Sequence, residues 1–366
     1  MISKQNNSII IIGAGIVGTT LAWYLSQHYK GKITLIDKQQ AAEGVTQHSF
    51  AWLNVSYGRP DGYSKLRQQA LTEWRNLDSL TQGKLNINWS GAISWHETDA
   101  ATHEFIHSHQ KTGFNIKALT KNELQLIEPQ LLSLPEVAAF SADEGFVDPV
   151  HATQTLLTEA IARGVNYLPE YEVLALEHHN HKIHGVITNK GTFSADQIII
   201  TAGVGSIELA QSLRVSLPIT ASPSIIVHYN NPTEQSFINH IISTPEMELR
   251  PVSSSKILCA EDFISDRLED SEVAIAQNAL TTIKKSFIGT DALNLEKAYI
   301  GMRPMPKDEM PIVGNVDDFE GLYIISMHAA ITLAPLICKL AKEEIIDGIK
   351  QAALSPYRLT RFASGN

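Results

Sequence analysis

The sequence predicts an α/β protein organised on a largely parallel sheet, and three local patterns carry that prediction. Ile9-Ile10-Ile11-Ile12 is a β-branched run suited to a strand buried on both faces. It passes directly into Gly13-Ala14-Gly15-Ile16-Val17-Gly18 and a helical stretch from about Ile16 to Gln27. A second strand pattern, Lys32 to Ile36, then ends in an acid, Asp37, nineteen residues after Gly18.

Strand, glycine turn, helix, strand and acid stand in the order of a Rossmann dinucleotide-binding unit. Gly13 permits the tight turn, Gly15 lets a diphosphate approach the backbone, and Gly18 lets the helix pack closely on the sheet. Ala14, Ile16 and Val17 carry the amides between them, so the helix start binds an anion without a basic side chain. Asp37 is the expected acceptor for ribose hydroxyls. The same fingerprint serves NAD and FAD, and the rest of the chain has to separate them.

After Lys38 the chain enters Gly44 to Leu53, a loop holding His48, Ser49, Ala51 and Trp52. A helical pattern follows with Leu66, Ala70, Leu71, Trp74 and Leu77, which is not a simple doubly wound continuation. His151 to Arg163 reads as a helix stopped at Gly164, and Tyr171 to Leu176, Ile183 to Thr188 and Ile198 to Thr201 read as strands. The last of these closes the buried run Ala195 to Ile200 and opens Thr201-Ala202-Gly203, where small residues allow a ligand close to the backbone. Near the C-terminus come Gly301-Met302-Arg303-Pro304, Pro311-Ile312-Val313-Gly314, a strand at Leu322 to Ile325, and Met327-His328-Ala329-Ala330-Ile331-Thr332. A helix is expected from about Leu333 to Ile349, capped by Thr332 with Pro335 in its first turn.

Composition narrows the function classes. The 366 residues are 43% hydrophobic and 19% charged, an ordinary globular balance with room for two or three packed units. A formal net charge of −10 opposes a nucleic-acid backbone. Two unpaired cysteines, Cys259 and Cys338, provide neither a disulfide framework nor a thiolate zinc site, and a cytoplasmic setting is expected. Ser8 to Tyr29 lacks formal charge, but its glycines, Thr19-Thr20 and Ser26-Gln27-His28 argue against an export signal or transmembrane segment.

Taken together, the fingerprint ending in Asp37-Lys38, Gly145-Phe146-Val147-Asp148-Pro149, Thr201-Ala202-Gly203 and the two C-terminal motifs resemble the D-amino acid oxidase family of flavoenzymes, with glycine oxidase, sarcosine oxidase and small-subunit amino acid dehydrogenases. The resemblance spans nearly the whole chain. It implies a Rossmann-like FAD-binding domain assembled from 1–82, 146–214 and 300–366. An α+β substrate domain with a mixed or antiparallel sheet, 83–145 and 215–299, is inserted between those segments. It further implies hydride transfer from the C–N carbon of a small carboxylated amine to the flavin, followed by imine hydrolysis. The electron acceptor would be oxygen, a quinone or a partner flavoprotein, and homo- or hetero-oligomers are both compatible.

On that resemblance Arg303 is the substrate-carboxylate anchor, and His328 stands beside it as the second catalytic-site residue. Expected cofactor contacts are the 13–18 loop, Asp37, Lys38, His48, Ser49, Ala51, Trp52, Val173 at the adenine, Ala202, Gly203 and Gly301. Ala330, Ile331, Thr332 and Leu333 complete the set at a helix start aimed at the pyrimidine end of the ring. The chain departs from the family at Met327, Ala330 and Leu249, the last standing where many relatives have a substrate-contacting tyrosine. Some relatives join flavin covalently to a loop histidine; His48 is read as a non-covalent neighbour.

Rival readings are weaker. His103-Glu104-Phe105-Ile106-His107 formally fits H-E-x-x-H, but its polar surroundings suit a solvated helix, and no metal is assigned. The histidines at 178, 179, 181 and 184 read as the tip of a hairpin, and the pairs Asp143-Glu144 and Glu343-Glu344 as solvent-facing. An NAD-linked dehydrogenase and a flavin-bearing subunit of a larger amine or opine dehydrogenase are the alternatives carried forward.

Overall fold

The structure, a computed structural model, describes residues 8–57, 62–233, 235–262 and 271–363. Among them lie eight α-helices: α1 (Ile16–His28), α2 (Gly62–Leu80), α3 (Asp99–Lys111), α4 (Lys121–Ile127), α5 (Pro149–Ala162), α6 (Ser206–Ser212), α7 (Glu272–Ser286) and α8 (Ala330–Asp347).

Six strands form the first sheet, in the order Ile312–Asn315, Leu322–Ser326, Gln197–Ile200, Ile9–Ile12, Ile33–Ile36, Asn166–Leu168. All neighbours are parallel except the outer pair Ile312–Asn315 and Leu322–Ser326. The isoleucine run is buried on both sides, as its composition requires. Ile9 and Ile11 enter a core with residues of α1, α5 and α8, while Ile10 and Ile12 enter another with Leu176, Ile183 and Val186. Those three belong to a three-stranded antiparallel sheet, Val173–His179, Lys182–Thr188 and Gly191–Ser194. Its first turn is Asn180-His181, with φ of 48° and 60°, so the histidine cluster does sit around a hairpin tip.

Eight strands form the second large sheet, ordered Asn294–Pro306, Ile219–Asn230, Lys256–Asp262, Glu248–Ser253, Ile241–Ser243, Ala92–Ser94, Val137–Ser141, Ile116–Thr120. The sheet is mixed: Ile241–Ser243 pairs in parallel with Ala92–Ser94, and every other pairing is antiparallel. Alternation along Ile219–Asn230 gives it two different faces. Ile225, Val227 and Tyr229 pack with Ala276, Leu280 and Ile283 of α7, whereas Ser224 and Ile226 turn the other way. We propose that the two large sheets mark the cofactor and substrate domains; Asn294–Pro306 runs across residue 300 and pairs within the eight-stranded sheet along its length.

Two helix starts differ from the sequence expectation. Helix α5 begins at Pro149, because Asp148 Oδ1 accepts from the amides of Val150 at 2.9 Å and His151 at 3.0 Å. Helix α8 begins at Ala330, which puts Pro335 inside the helix rather than in its first turn. A proline there leaves the carbonyl four residues back, that of Ile331, without its helical donor. The indole Nε1 of Trp74 supplies the replacement, donating to Ile331 O at 3.0 Å and Thr332 O at 3.1 Å. Thr332 does not cap the helix; its hydroxyl donates to Trp52 O at 3.0 Å and so fastens the loop before α2.

Candidate active site

A cavity of about 970 Å³ lies between the carboxyl ends of the first sheet and the Ser224/Ile226 face of the second. Ile12, Ile36, Ile325 and Ser326 end their strands in its wall, the position where open α/β sheets bind ligands. Of the residues expected from sequence, it gathers Gly13, Gly15, Ile16, Val17, Asp37, Lys38, His48, Ser49, Ala51, Trp52, Val173, Ala202, Gly203, Arg303, His328, Ala330, Ile331 and Thr332.

Four expected residues do not line it and act from behind. Ala14 is buried, and its amide donates to Asp37 Oδ2 at 2.6 Å. Gly18 packs so closely on the turn that a Cβ there would meet Gly13 O at 1.9 Å, with Thr201 Oγ1 at 2.5 Å. Gly301 lets its strand pass beneath the His48 carbonyl, 2.8 Å from where a Cβ would stand. Leu333 is core, and its amide is spent on Ala329 O at 3.0 Å.

At the glycine end, Gly13 adopts φ +105° and a Cβ would strike Thr201 O at 2.6 Å, so the turn admits only glycine. The Thr201 hydroxyl seals it by donating to Ile12 O at 2.8 Å and Gly13 O at 3.0 Å. Thr46, which sequence reasoning passed over, accepts from Ile16 N at 3.1 Å and tethers the loop to the start of α1. Burial pushes the Asp37 carboxyl upward, offset in part by the amides of Gln39, 2.8 Å from Oδ1, and Ala14. Asp37 therefore braces the glycine turn besides facing the cavity.

His48 stacks on Tyr299 with ring centroids 4.7 Å apart, and its Nδ1 is buried without a hydrogen-bond partner. Burial, then the charge of Lys297, holds its pKa below the usual histidine value. On the sheet wall, Arg303 extends from Asn294–Pro306, and its Nη2 donates to Ser222 Oγ at 3.1 Å and Pro223 O at 3.2 Å. Leu249 is fully buried against the α7 side, so the residue of that segment facing the cavity is Glu248. Successive residues of a strand face opposite sides, so Leu249 and Glu248 meet different surroundings.

One member of each acidic pair departs from expectation, Glu144 and Glu344, while Asp143 and Glu343 stay accessible to solvent. Glu144 has no exposed surface; its carboxylate accepts from Val55 N at 2.6 Å, Ser56 N at 2.7 Å, Ser56 Oγ at 3.0 Å and Trp52 Nε1 at 3.0 Å. Burial outweighs those four donors and pushes its pKa up to about 7. Glu344 is likewise buried, accepting from Tyr323 Oη at 2.7 Å and paired with Arg358. The H-E-x-x-H segment lies on α3 with His103, Glu104 and His107 exposed.

The profile of the family described as FAD dependent oxidoreductase (DAO) matches residues 8–344. The chain belongs to that family. As an FAD dependent oxidoreductase it is similar in sequence to the Bacillus subtilis oxidoreductase YurR, 23% identical over 376 residues that cover 96% of this chain and 98% of that protein. Over 215 residues it is 26% identical to N-methyl-L-tryptophan oxidase of Yersinia pestis, 57% of this chain and 56% of the relative. The fold matches glycine oxidase from Geobacillus kaustophilus with TM-score 0.86, 19% identity and coverage of 97% and 99%. L-proline dehydrogenase from P. horikoshii matches with TM-score 0.87, 19% identity and 99% of each chain.

The residues present suit FAD. Gly15 and Val17 line the cavity at the start of α1, and Gly15 puts no side chain between the backbone and a diphosphate there, while the amides of Ala14 and Ile16 are already bonded to Asp37 and Thr46. The cavity continues from there past the His48 loop to the start of α8, as an extended dinucleotide requires.

Proposed function

We propose that the protein oxidises the C–N bond of a small carboxylated amine or amino acid, and that the imine formed is hydrolysed in water. The observation that carries this reading is continuity: one cavity joins the dinucleotide fingerprint, the start of α8 and a guanidinium on the opposite wall. When bound, FAD supplies hydride acceptance, so the chain needs no side-chain nucleophile. Gly15 and Val17 at the start of α1 hold the diphosphate, Asp37 the ribose, and Val173, Ala202 and Gly203 flank the adenosine. Arg303 grips the carboxylate, its fork already oriented by Ser222 and Pro223. His328, immediately before the α8 start, is assigned to orienting the substrate. Ile226 and Ala260 line that end of the cavity, with Glu248 and Glu261 beside them.

The test is anaerobic mixing of the flavin-loaded protein with glycine, sarcosine, proline, D-amino acids and N-substituted amino acids, with the visible absorption followed. Bleaching by at least one carboxylated amine is the expected result; bleaching by none of them would remove the proposed substrate class. Acid precipitation of the same sample should leave the yellow colour in the supernatant, since the flavin is proposed to be held without a bond to His48. Colour in the pellet would assign a covalent link.

A further inference from the structure

Arg67 has no part in the reading above, although it is 4% exposed and lines the cavity. Its hydrogen-bond partners among the described residues are both oxygens of the neutral Asn54: Nη1 donates to the carbonyl at 3.2 Å and to the side-chain Oδ1. Nε is buried with no acceptor, and the Tyr63 ring lies 5.1 Å from the guanidinium carbon. A guanidinium does not relieve burial by losing its proton, so a cation in this setting favours an anionic occupant of the space it borders.

The start of α8 converges on the same place. Ala330, Ile331 and Thr332 line the cavity, and no side chain caps the amino end of this 18-residue helix. Asn54, the partner of Arg67, donates its amide to Thr332 Oγ1 at 3.4 Å. Helix start and guanidinium therefore both favour negative charge at one end of the cavity, while Arg303 belongs to the wall formed by the eight-stranded sheet.

We propose that Arg67, beside the first turn of α8, adds a second anion seat, separate from Arg303, for a delocalised oxyanion. The charge is either the one a flavin ring gains on reduction or a second carboxylate on the substrate. The proposal rests on the assignment of FAD to this cavity.

The holoenzyme tests it in two arms, with wild type, Arg67→Met and Arg67→Lys compared after FAD content and thermal midpoint are measured. Sulfite, which adds to bound flavin and leaves the ring negatively charged, is titrated to half-bleaching. Anaerobic reduction by iminodiacetate is compared with that by sarcosine, which has one carboxylate fewer. Arg67→Met is expected to raise, by about tenfold or more, either the sulfite concentration for half-bleaching or the iminodiacetate-to-sarcosine ratio of half-reducing concentrations, with Arg67→Lys intermediate. The first result places the ring's charge at Arg67, the second a substrate carboxylate. An Arg67→Met protein that retains FAD and changes both readings by less than about twofold overturns the seat. If Arg67→Met loses FAD, Arg67→Lys carries the same comparison. Wild-type protein that takes up no FAD overturns this proposal and the functional reading together, a failure read on the wild type alone.

Discussion

Replacing Arg303 with alanine is expected to raise the concentration of carboxylated amine needed for half-reduction by roughly two orders of magnitude, with FAD content unchanged. The separation of effects follows from position. Arg303 belongs to the Asn294–Pro306 strand, on the wall opposite the glycine turn, and its Nη2 is held by Ser222 and Pro223 rather than by any residue of the 13–18 loop. Losing the fork removes a charge-assisted, geometrically matched pair, and Arg303→Lys should recover part of the loss because it returns charge without the planar geometry. Rapid mixing under anaerobic conditions measures this. An unchanged half-reducing concentration in Arg303→Ala would assign the residue to structure.

The second large effect is expected at Glu144. Glu144→Ala strands four donors, on Trp52, Val55 and Ser56, in a buried site, and should lower stability by at least about 3 kcal/mol. The loop so released carries Trp52 and Asn54 into the cavity, so FAD content should fall with it. Glu144 also imposes a pH dependence of definite sign. In the unfolded chain the carboxyl ionises near 4.5, whereas in the folded chain burial holds the proton until about 7. Between those values the folded form binds more protons, so this group's contribution to stability falls as pH rises, by on the order of 3 kcal/mol in total. Thermal unfolding from pH 5 to 8 should show that decline in the wild type. Glu144→Gln should lack it, while losing stability at every pH because an amide cannot accept from both Ser56 N and Trp52 Nε1 in the same way. A decline of equal size in Glu144→Gln would remove the assignment.

What the sequence disclosed was what local chemistry decides. Four isoleucines followed by closely spaced glycines spell a buried strand entering a tight turn, and the fold has both at the expected residues. The start of α8 was misplaced because its solution is distant: Trp74 serves the carbonyl that Pro335 leaves open, across more than 250 positions of chain. Glu144 was read as solvated for the same reason, since its donors come from a loop some 90 residues earlier. Arg67 did leave a trace: it falls inside the apolar stripe Tyr63, Leu66, Ala70, Trp74, Leu77 of α2, where a charged residue has no place unless something meets it.

Uptake of FAD by the purified chain, followed by visible absorption during titration with the dinucleotide, bears most directly on the central claim. Stoichiometric binding with the bands of an oxidised flavin, lost on anaerobic addition of a carboxylated amine, is the predicted result. A cooperatively folded preparation that stays colourless in excess FAD would contradict it.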